Sequence, residues 1–306
     1  MSSAWLLGLF CVLKCIEITH ARCSKSQYES GPGYWLKCSN STIADVSNEQ
    51  AVLSAITMLN SNMKYISANS FMKHRGTLIV LNLQNCEIFD VHPLAFSNFP
   101  KLKKLSLSHN KLTHLESNWF MDLPNLEQLD VSYNLIRTVQ ANFFTKMPRL
   151  RLLSLAGNQL NCLDLKELAP LGSLAKIRIS ENPMSFLCRG QLTLWLKDHG
   201  INYSNERPNG MESWLDSLLW LCAIEDDVIA KSEEKMRQCV VLGMFNQFRK
   251  AIMTLEDYQS TTNVCVSERK SFLSSLSDFK QPGESLTNAL AIENMIRVVG
   301  SVLVNN

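Results

Sequence analysis

Apolar residues in the middle of the chain keep a strict register. Leu102, Leu105, Leu107 and Leu112, with Asn110 before the last, give the spacing LxxLxLxxNxL. The pattern returns at Leu126, Leu129, Val131, Asn134 and Ile136, then at Leu150, Leu153, Leu155, Asn158 and Leu160, and again at Leu174, Ile177, Ile179, Asn182 and Met184. Upstream, Leu78, Leu81, Leu83, Cys86 and Ile88 fit with a cysteine in place of the asparagine, and Leu53, Ile56, Met58, Ser61 and Met63 form a weaker first copy. Successive copies lie 24 residues apart, except for a first step of 25. A second register runs beside the first: Phe71, Phe96, Phe120, Phe144 and Leu168 form one column, and Pro100, Pro124 and Pro148 another. A fixed period of this length is the mark of a stacked repeat architecture.

The spacing carries its own physics. Leu105 and Leu107 alternate with Lys104, Ser106 and Ser108, which predicts a short strand with its leucines inward. Each strand pairs in parallel with the strand of the next repeat, and the Phe column fills the interior behind them. No repeat can bury its apolar side alone. Asn110, Asn134, Asn158 and Asn182 are placed where a side-chain amide satisfies turn backbone that is otherwise buried without partners. The expected fold is an α/β solenoid over residues 50–182, and its repeats are similar to leucine-rich repeats, about six of them.

The flanks read differently. Trp5 to Leu13 is almost wholly apolar, too short to span a bilayer, and Ala21 offers a small residue for cleavage, so residues 1–21 read as a signal peptide. No later segment has the apolar length of a membrane span, and none is expected after signal removal. Cys23 and Cys38 bracket Gly31-Pro32-Gly33 in residues 22–49, ahead of the repeats. Residues 183–208 hold Cys188 and an apolar helix through Leu192, Trp195 and Leu196. From 209 to 306 the pattern turns helical, over Trp214–Ile224, Ser271–Phe279 and Leu286–Val302, with Pro282-Gly283 between the last two. Val241, Phe245, Phe248, Ile252 and Leu255 step by four and three, a stripe that fits a small helical bundle or a short coiled coil.

Composition narrows the function classes. The chain is 46% hydrophobic and 19% charged, as folded proteins are, with a net charge of +2 that offers little to a polyanion, so nucleic acid is not an expected partner. Ten cysteines suit an oxidising compartment, and eight follow the signal segment: Cys23, Cys38, Cys86, Cys162, Cys188, Cys222, Cys239 and Cys265. None forms a CxxC pair, and no histidine stands at zinc-ligand spacing from them, so neither a metal nor a cofactor is expected. Cys86 holds an inward ladder position and is expected to stay a buried thiol.

The outward strand positions should line a concave face. One column reads Thr57, Asn82, Ser106, Asp130, Ser154 and Arg178, and the next Leu59, Gln84, Ser108, Ser132, Ala156 and Ser180. These side chains are small, polar and nearly uncharged, with His109 and Tyr133 on one rim. Asn82, Ser106, His109, Asp130, Tyr133 and Arg178 are the candidate contact residues, because such a surface suits a protein ligand, with aromatics and Arg the usual anchors. A single carboxylate excludes paired acid–base chemistry there. Ser106, His109 and Asp130 are neighbours by repeat position, with nothing to supply an oxyanion hole, so no enzyme is expected. Asn40-Ser41-Thr42 and Asn202-Tyr203-Ser204 match the N-glycosylation pattern.

The ends of the repeat array resemble the cysteine-bearing caps of extracellular leucine-rich-repeat proteins, although the usual first cysteine of the C-terminal cap falls on Phe186. That resemblance implies a Cys23–Cys38 pair and a pairing of Cys188 with Cys222 or Cys239. The layout of signal segment, short array, caps and cysteine-bearing helical tail resembles the short leucine-rich immune proteins of mosquitoes. The resemblance implies a secreted scaffold in innate immunity that holds complement-like or pathogen proteins. Two arrangements of the remaining cysteines stay open: a disulfide-linked dimer through Cys265 and the C-terminal helices with Cys162 exposed, or a Cys239–Cys265 pair within one chain. Two other roles also stay open, a matrix or developmental recognition protein and a receptor ectodomain.

Overall fold

A computed structural model describes residues 22–258 apart from 69, 121–122 and 204–210. The expected signal peptide over residues 1–21, Cys265, and the stretches Ser271–Phe279 and Leu286–Val302 therefore lie outside the described residues. The chain divides into two compact units, the first holding residues up to Lys111 together with Trp119–Leu126, the second holding Leu112–Asn118 and everything from Glu127 onward.

The first unit opens with a hairpin. Strand β1 (Arg22–Gln27) pairs antiparallel with β2 (Tyr34–Ser39), which sets Cys23 opposite Cys38. The two are joined by a disulfide. Gly33, at φ 89°, closes the turn where an added Cβ would meet the Val52 carbonyl at 2.7 Å, so only glycine fits. The cap then continues the sheet: β2 pairs in parallel with β3 (Leu53–Leu59), β3 with β5 (Val80–Gln84), and β5 with β7 (Lys104–Ser106). Helix α1 (Ile43–Asn48) follows β2, and the short strands β4 (Tyr65–Ile66) and β6 (Asp90–Val91) pair on the way between the long ones. Phe71, Phe96 and Phe120 are buried behind the strands, with the Phe96 and Phe120 rings stacked at 6.0 Å.

The second unit repeats the scheme. After β8 (His114–Leu115) come β9 (Gln128–Asp130), β10 (Thr138–Val139) and β11 (Leu152–Ser154), then α2 (Leu165–Leu168) and β12 (Lys176–Arg178). β11 stands between β9 and β12, in parallel and in register with both. Phe143, Phe144 and Leu168 are buried within this unit.

Side-chain amides stitch the turns together within each unit. Asn110 accepts from the Cys86 and Ile88 amides at 2.9 and 3.0 Å and donates to the Leu83 and Leu107 carbonyls at 2.8 and 2.9 Å. Asn158 and Asn182 do the same for Ile136 and Leu160. Each amide serves about four backbone groups that no water reaches, so burial costs little. Cys86 stands in the same column as a free, buried thiol, donating weakly to the Met58 and Gln84 carbonyls at 3.4 and 3.3 Å.

Three helices follow β12 among the described residues of the second unit: α3 (Phe186–Asp198), α4 (Met211–Glu225) and α5 (Glu233–Tyr258). Phe186 from α3, Leu215, Leu219 and Cys222 from α4, and Met236, Val240 and Met244 from α5 form one core. Met236, Val240 and Met244 recur every four residues, so they share one face of α5, with Val241 packed partly against it. Two polar devices fix the arrangement. Glu233 accepts from the Phe186 and Leu187 amides at 2.9 and 2.8 Å, capping the N-terminus of α3 from another helix. Arg189 makes a bidentate pair with Asp216 at 2.9 and 3.0 Å and donates to the Ile179 carbonyl at 3.1 Å.

The cysteine pairing departs from expectation. Cys188 is bound to Cys162, and Cys222 to Cys239. Cys188 therefore pairs with neither Cys222 nor Cys239, Cys162 is no free thiol, and Cys239 is not left for Cys265. The physical reason is stacking. Cys162 lies one repeat before the start of α3, and the Leu163 amide already reaches the Cys188 sulfur at 3.3 Å.

Candidate functional site

The candidate contact residues fall on the outward side of the strands, three in each unit. In the first unit Asn82 and Ser106 are register partners, and Thr57 precedes them across β3. Trp35 from the capping hairpin reaches the same row, its indole donating to Thr57 Oγ1 at 3.0 Å. Lys37 Nζ lies 4.1 Å from the Trp35 ring centroid, so the row begins with a cation–π pair that sequence reading missed. Asn82 Oδ1 is buried and accepts no hydrogen bond from the described residues. Ser106 Oγ lies 3.1 Å from Ser108 Oγ. These hydroxyls serve each other and the turn.

In the second unit Asp130 and Arg178 both align with Ser154, on either side of β11. Asp130 accepts from the Ser132 hydroxyl at 2.6 Å and the Ser132 amide at 3.0 Å, so its carboxylate closes a turn of its own chain. The outward columns are less open than their polarity predicts: Ser108, Ser132, Ser154 and Ser180 are all buried. A serine there is small enough to sit between its neighbours' strands, and that is a packing role. Asn82, Ser106, Asp130 and Arg178 are half-buried, whereas His109 and Tyr133 are exposed.

The rim residues share a backbone property that hydrophobic patterning does not register. Asn40, Asn60, Asn85 and His109 in the first unit have φ of 50°, 52°, 54° and 55°. Tyr133, Gly157 and Glu181 in the second have 53°, 64° and 57°. Every residue that precedes a ladder position is left-handed, a region that Gly and Asn enter easily and that costs a bulky side chain about 1 kcal/mol or more. Asn and Gly at four of these positions were the available signal. Tyr133 lays its ring over Gly157, against the space a Cβ would need.

The potential glycosylation acceptors are exposed. Asn40 directly follows β2 and Asn202 bridges to Lys176, while Ser204 of the second triplet lies outside the described residues. Among the described residues no group of three His, Cys, Asp or Glu side chains is placed to hold a metal, and no helix is long and apolar enough to cross a membrane.

Strongly shifted ionisable groups lie away from the strand face. Burial pushes the Cys86 thiol up to about 11, so it stays protonated. Burial also lowers His74, whose Nε2 lies 3.3 Å from the Val46 carbonyl of α1. Asp216 is raised by burial, with the Arg189 charge working against that.

Residues 77–136 and 128–184 match the family model for the leucine rich repeat. These residues are leucine-rich repeats. The structure around them is a leucine-rich-repeat solenoid fold, followed by helices. Among solved structures, a TLR13–ssRNA13 complex is similar at 21% identity and TM-score 0.46, over 52% of this chain and 23% of that one. The leucine-rich repeat domain of APL1 is similar at 21% identity and TM-score 0.44, over 49% of this chain and 42% of that one. The chain thus spans less than half the length of either. No curated protein sequence matches it.

Proposed function

We propose that this chain is an extracellular scaffold that holds a protein ligand on the outward side of its leucine-rich-repeat strands. The observation that carries the reading is the buried, unpartnered Oδ1 of Asn82 in a row of half-buried polar side chains. An unsatisfied buried acceptor costs about 1–3 kcal/mol, and a ligand N–H or O–H would recover it on binding. Three disulfides support an oxidising compartment. The immune role, with complement-like or pathogen proteins as ligands, is supported by the resemblance in layout to leucine-rich immune proteins, as is cleavage of residues 1–21. Glycans on Asn40 and Asn202 and a tail-mediated dimer are parts of the same proposal.

Immobilised full-length protein, exposed to extracellular fluid of its source, should retain a protein ligand. Ser106→Arg and Asp130→Arg should abolish retention, and Asn82→Leu should weaken it while raising thermal stability. Retention untouched by all three substitutions would refute the reading. Transcript induction on infection separates the immune role from a matrix or developmental one.

A further inference from the structure

The outward strand positions of the first unit carry charge of one sign. In register across β2, β3, β5 and β7, one row reads Trp35, Ala55, Val80 and Lys104, and the next Lys37, Thr57, Asn82 and Ser106. The charged side chains in these rows are Lys37 and Lys104, both exposed. No carboxylate stands on these four strands. Two carboxylates of the same unit are engaged elsewhere, Glu49 with Lys25 at 3.1 Å and Glu87 with Lys111 at 3.4 Å. Among the described residues neither Lys37 nor Lys104 joins an ion pair.

The two cations are set for a ligand. Lys37 Nζ lies 4.1 Å from the Trp35 ring centroid, and the indole is anchored in turn on Thr57 Oγ1 at 3.0 Å. The ring draws the ammonium toward the row that holds Lys104, and a side chain already held gives up less rotamer freedom on meeting a carboxylate. Three strand spacings separate β2 from β7, about 14 Å. An extended segment lying across the strands covers that distance in about four residues, and its side chains at even separations point the same way. Between the lysines stand half-buried Val80 and the Asn82 amide, whose Oδ1 accepts no hydrogen bond from the described residues. That acceptor tells anions apart. A peptide N–H can donate to it, whereas phosphodiester and sulfate groups bring only acceptors.

We propose that the strand face of the first unit selects an acidic protein segment, extended across the strands, whose carboxylates meet Lys37 and Lys104. The inference rests on the strand-face reading above and names the chemistry of its ligand.

Selection of a random peptide library, displayed on phage, against the immobilised full chain tests it. The wild type should enrich peptides with Asp or Glu pairs about four residues apart. A synthetic peptide of enriched sequence should bind the Lys37→Glu/Lys104→Glu variant at least about tenfold more weakly. Lys37→Gln/Lys104→Gln should lose less, because reversal adds repulsion to the lost attraction. High salt should weaken the wild type and leave the Gln variant unmoved. Enriched peptides that lack acidic pairs, yet are lost on Ser106→Arg, would overturn the acidic selection and leave the protein-ligand reading standing. No enrichment, or enrichment indifferent to Ser106→Arg, would remove both. Retention of heparin or a poly-uridine oligonucleotide that disappears in Lys37→Glu/Lys104→Glu would assign the lysines to a polyanion and overturn the proposal.

Discussion

Gly157 offers a direct measure of what the rim geometry costs. It occupies the left-handed position of its repeat at φ 64°, and the Tyr133 ring fills the space above it. In Gly157→Ala the new Cβ would overlap Tyr133 Cδ1 and lie 2.7 Å from Cε1. Two costs follow. Placing alanine in the left-handed region costs about 1–2 kcal/mol. Pushing the tyrosine off its rotamer costs a further ~0.5–1.5 kcal/mol. The single substitution should therefore destabilise by about 2–3 kcal/mol, read from urea denaturation by far-UV circular dichroism. In a Tyr133→Ala background the ring is gone and only the backbone cost remains, so the same change should cost about 1–2 kcal/mol. The difference is the coupling energy of a double-mutant cycle, at least about 0.5 kcal/mol. Equal costs in both backgrounds would show that the ring does not rest on Gly157, and a cost near zero would remove the left-handed backbone as well.

Four other expectations follow from the same structure. Phe120→Ala removes a ring that is buried and stacked on Phe96, and thermal melts should show a loss of roughly 3–5 kcal/mol. His74 has its folded pKa depressed below 6.5, so the unfolded chain binds its proton first; its contribution to stability is complete above about pH 6.5 and is lost as pH falls through the lower folded value. Denaturation midpoints measured at pH 7.5 and 5 should show this slope, and His74→Gln should flatten it. Asp216→Asn strands the Arg189 guanidinium, whose side chain is 3% exposed, and should cost about 3–5 kcal/mol by denaturation. Non-reducing peptide maps should yield Cys23–Cys38, Cys162–Cys188 and Cys222–Cys239, with Cys86 alkylated only after unfolding.

The repeat region was legible because each of its demands recurs. A strand leucine, a ladder asparagine and a core phenylalanine return at one spacing, so a single misreading would break the register; Leu105, Asn110 and Phe120 stand where that register puts them. What could not be read is what occurs once. Cys162 looks like a surface residue of its own repeat, and only three-dimensional stacking brings it beside Cys188. The Arg189–Asp216 pair joins residues of two helices across a loop, with no period to announce it. Trp35 belongs to the cap by sequence but reaches the Thr57 row, because β2 continues the sheet and does not merely cover it. On the strand face, polarity suggested openness, whereas the serines are polar and buried; composition cannot tell a small hydroxyl packed between strands from one that meets solvent. The left-handed column was half visible in Asn60, Asn85 and Gly157, and hidden by His109, Tyr133 and Glu181, which occupy it at a cost.

Glu233 capping the first turn of α3 sets an order on the making of the protein. A chain emerging from the ribosome can add repeats one by one, each closing on the last. The final repeat gains its α3 cover only when two free amides at Phe186 and Leu187 find a carboxylate more than forty residues downstream. Until Glu233 and the Met236 side chain behind it have emerged, that end of the nascent array is open, with Phe186 lacking its α5 neighbour. Synthesis halted before that point would leave an exposed apolar end, a natural target for chaperones.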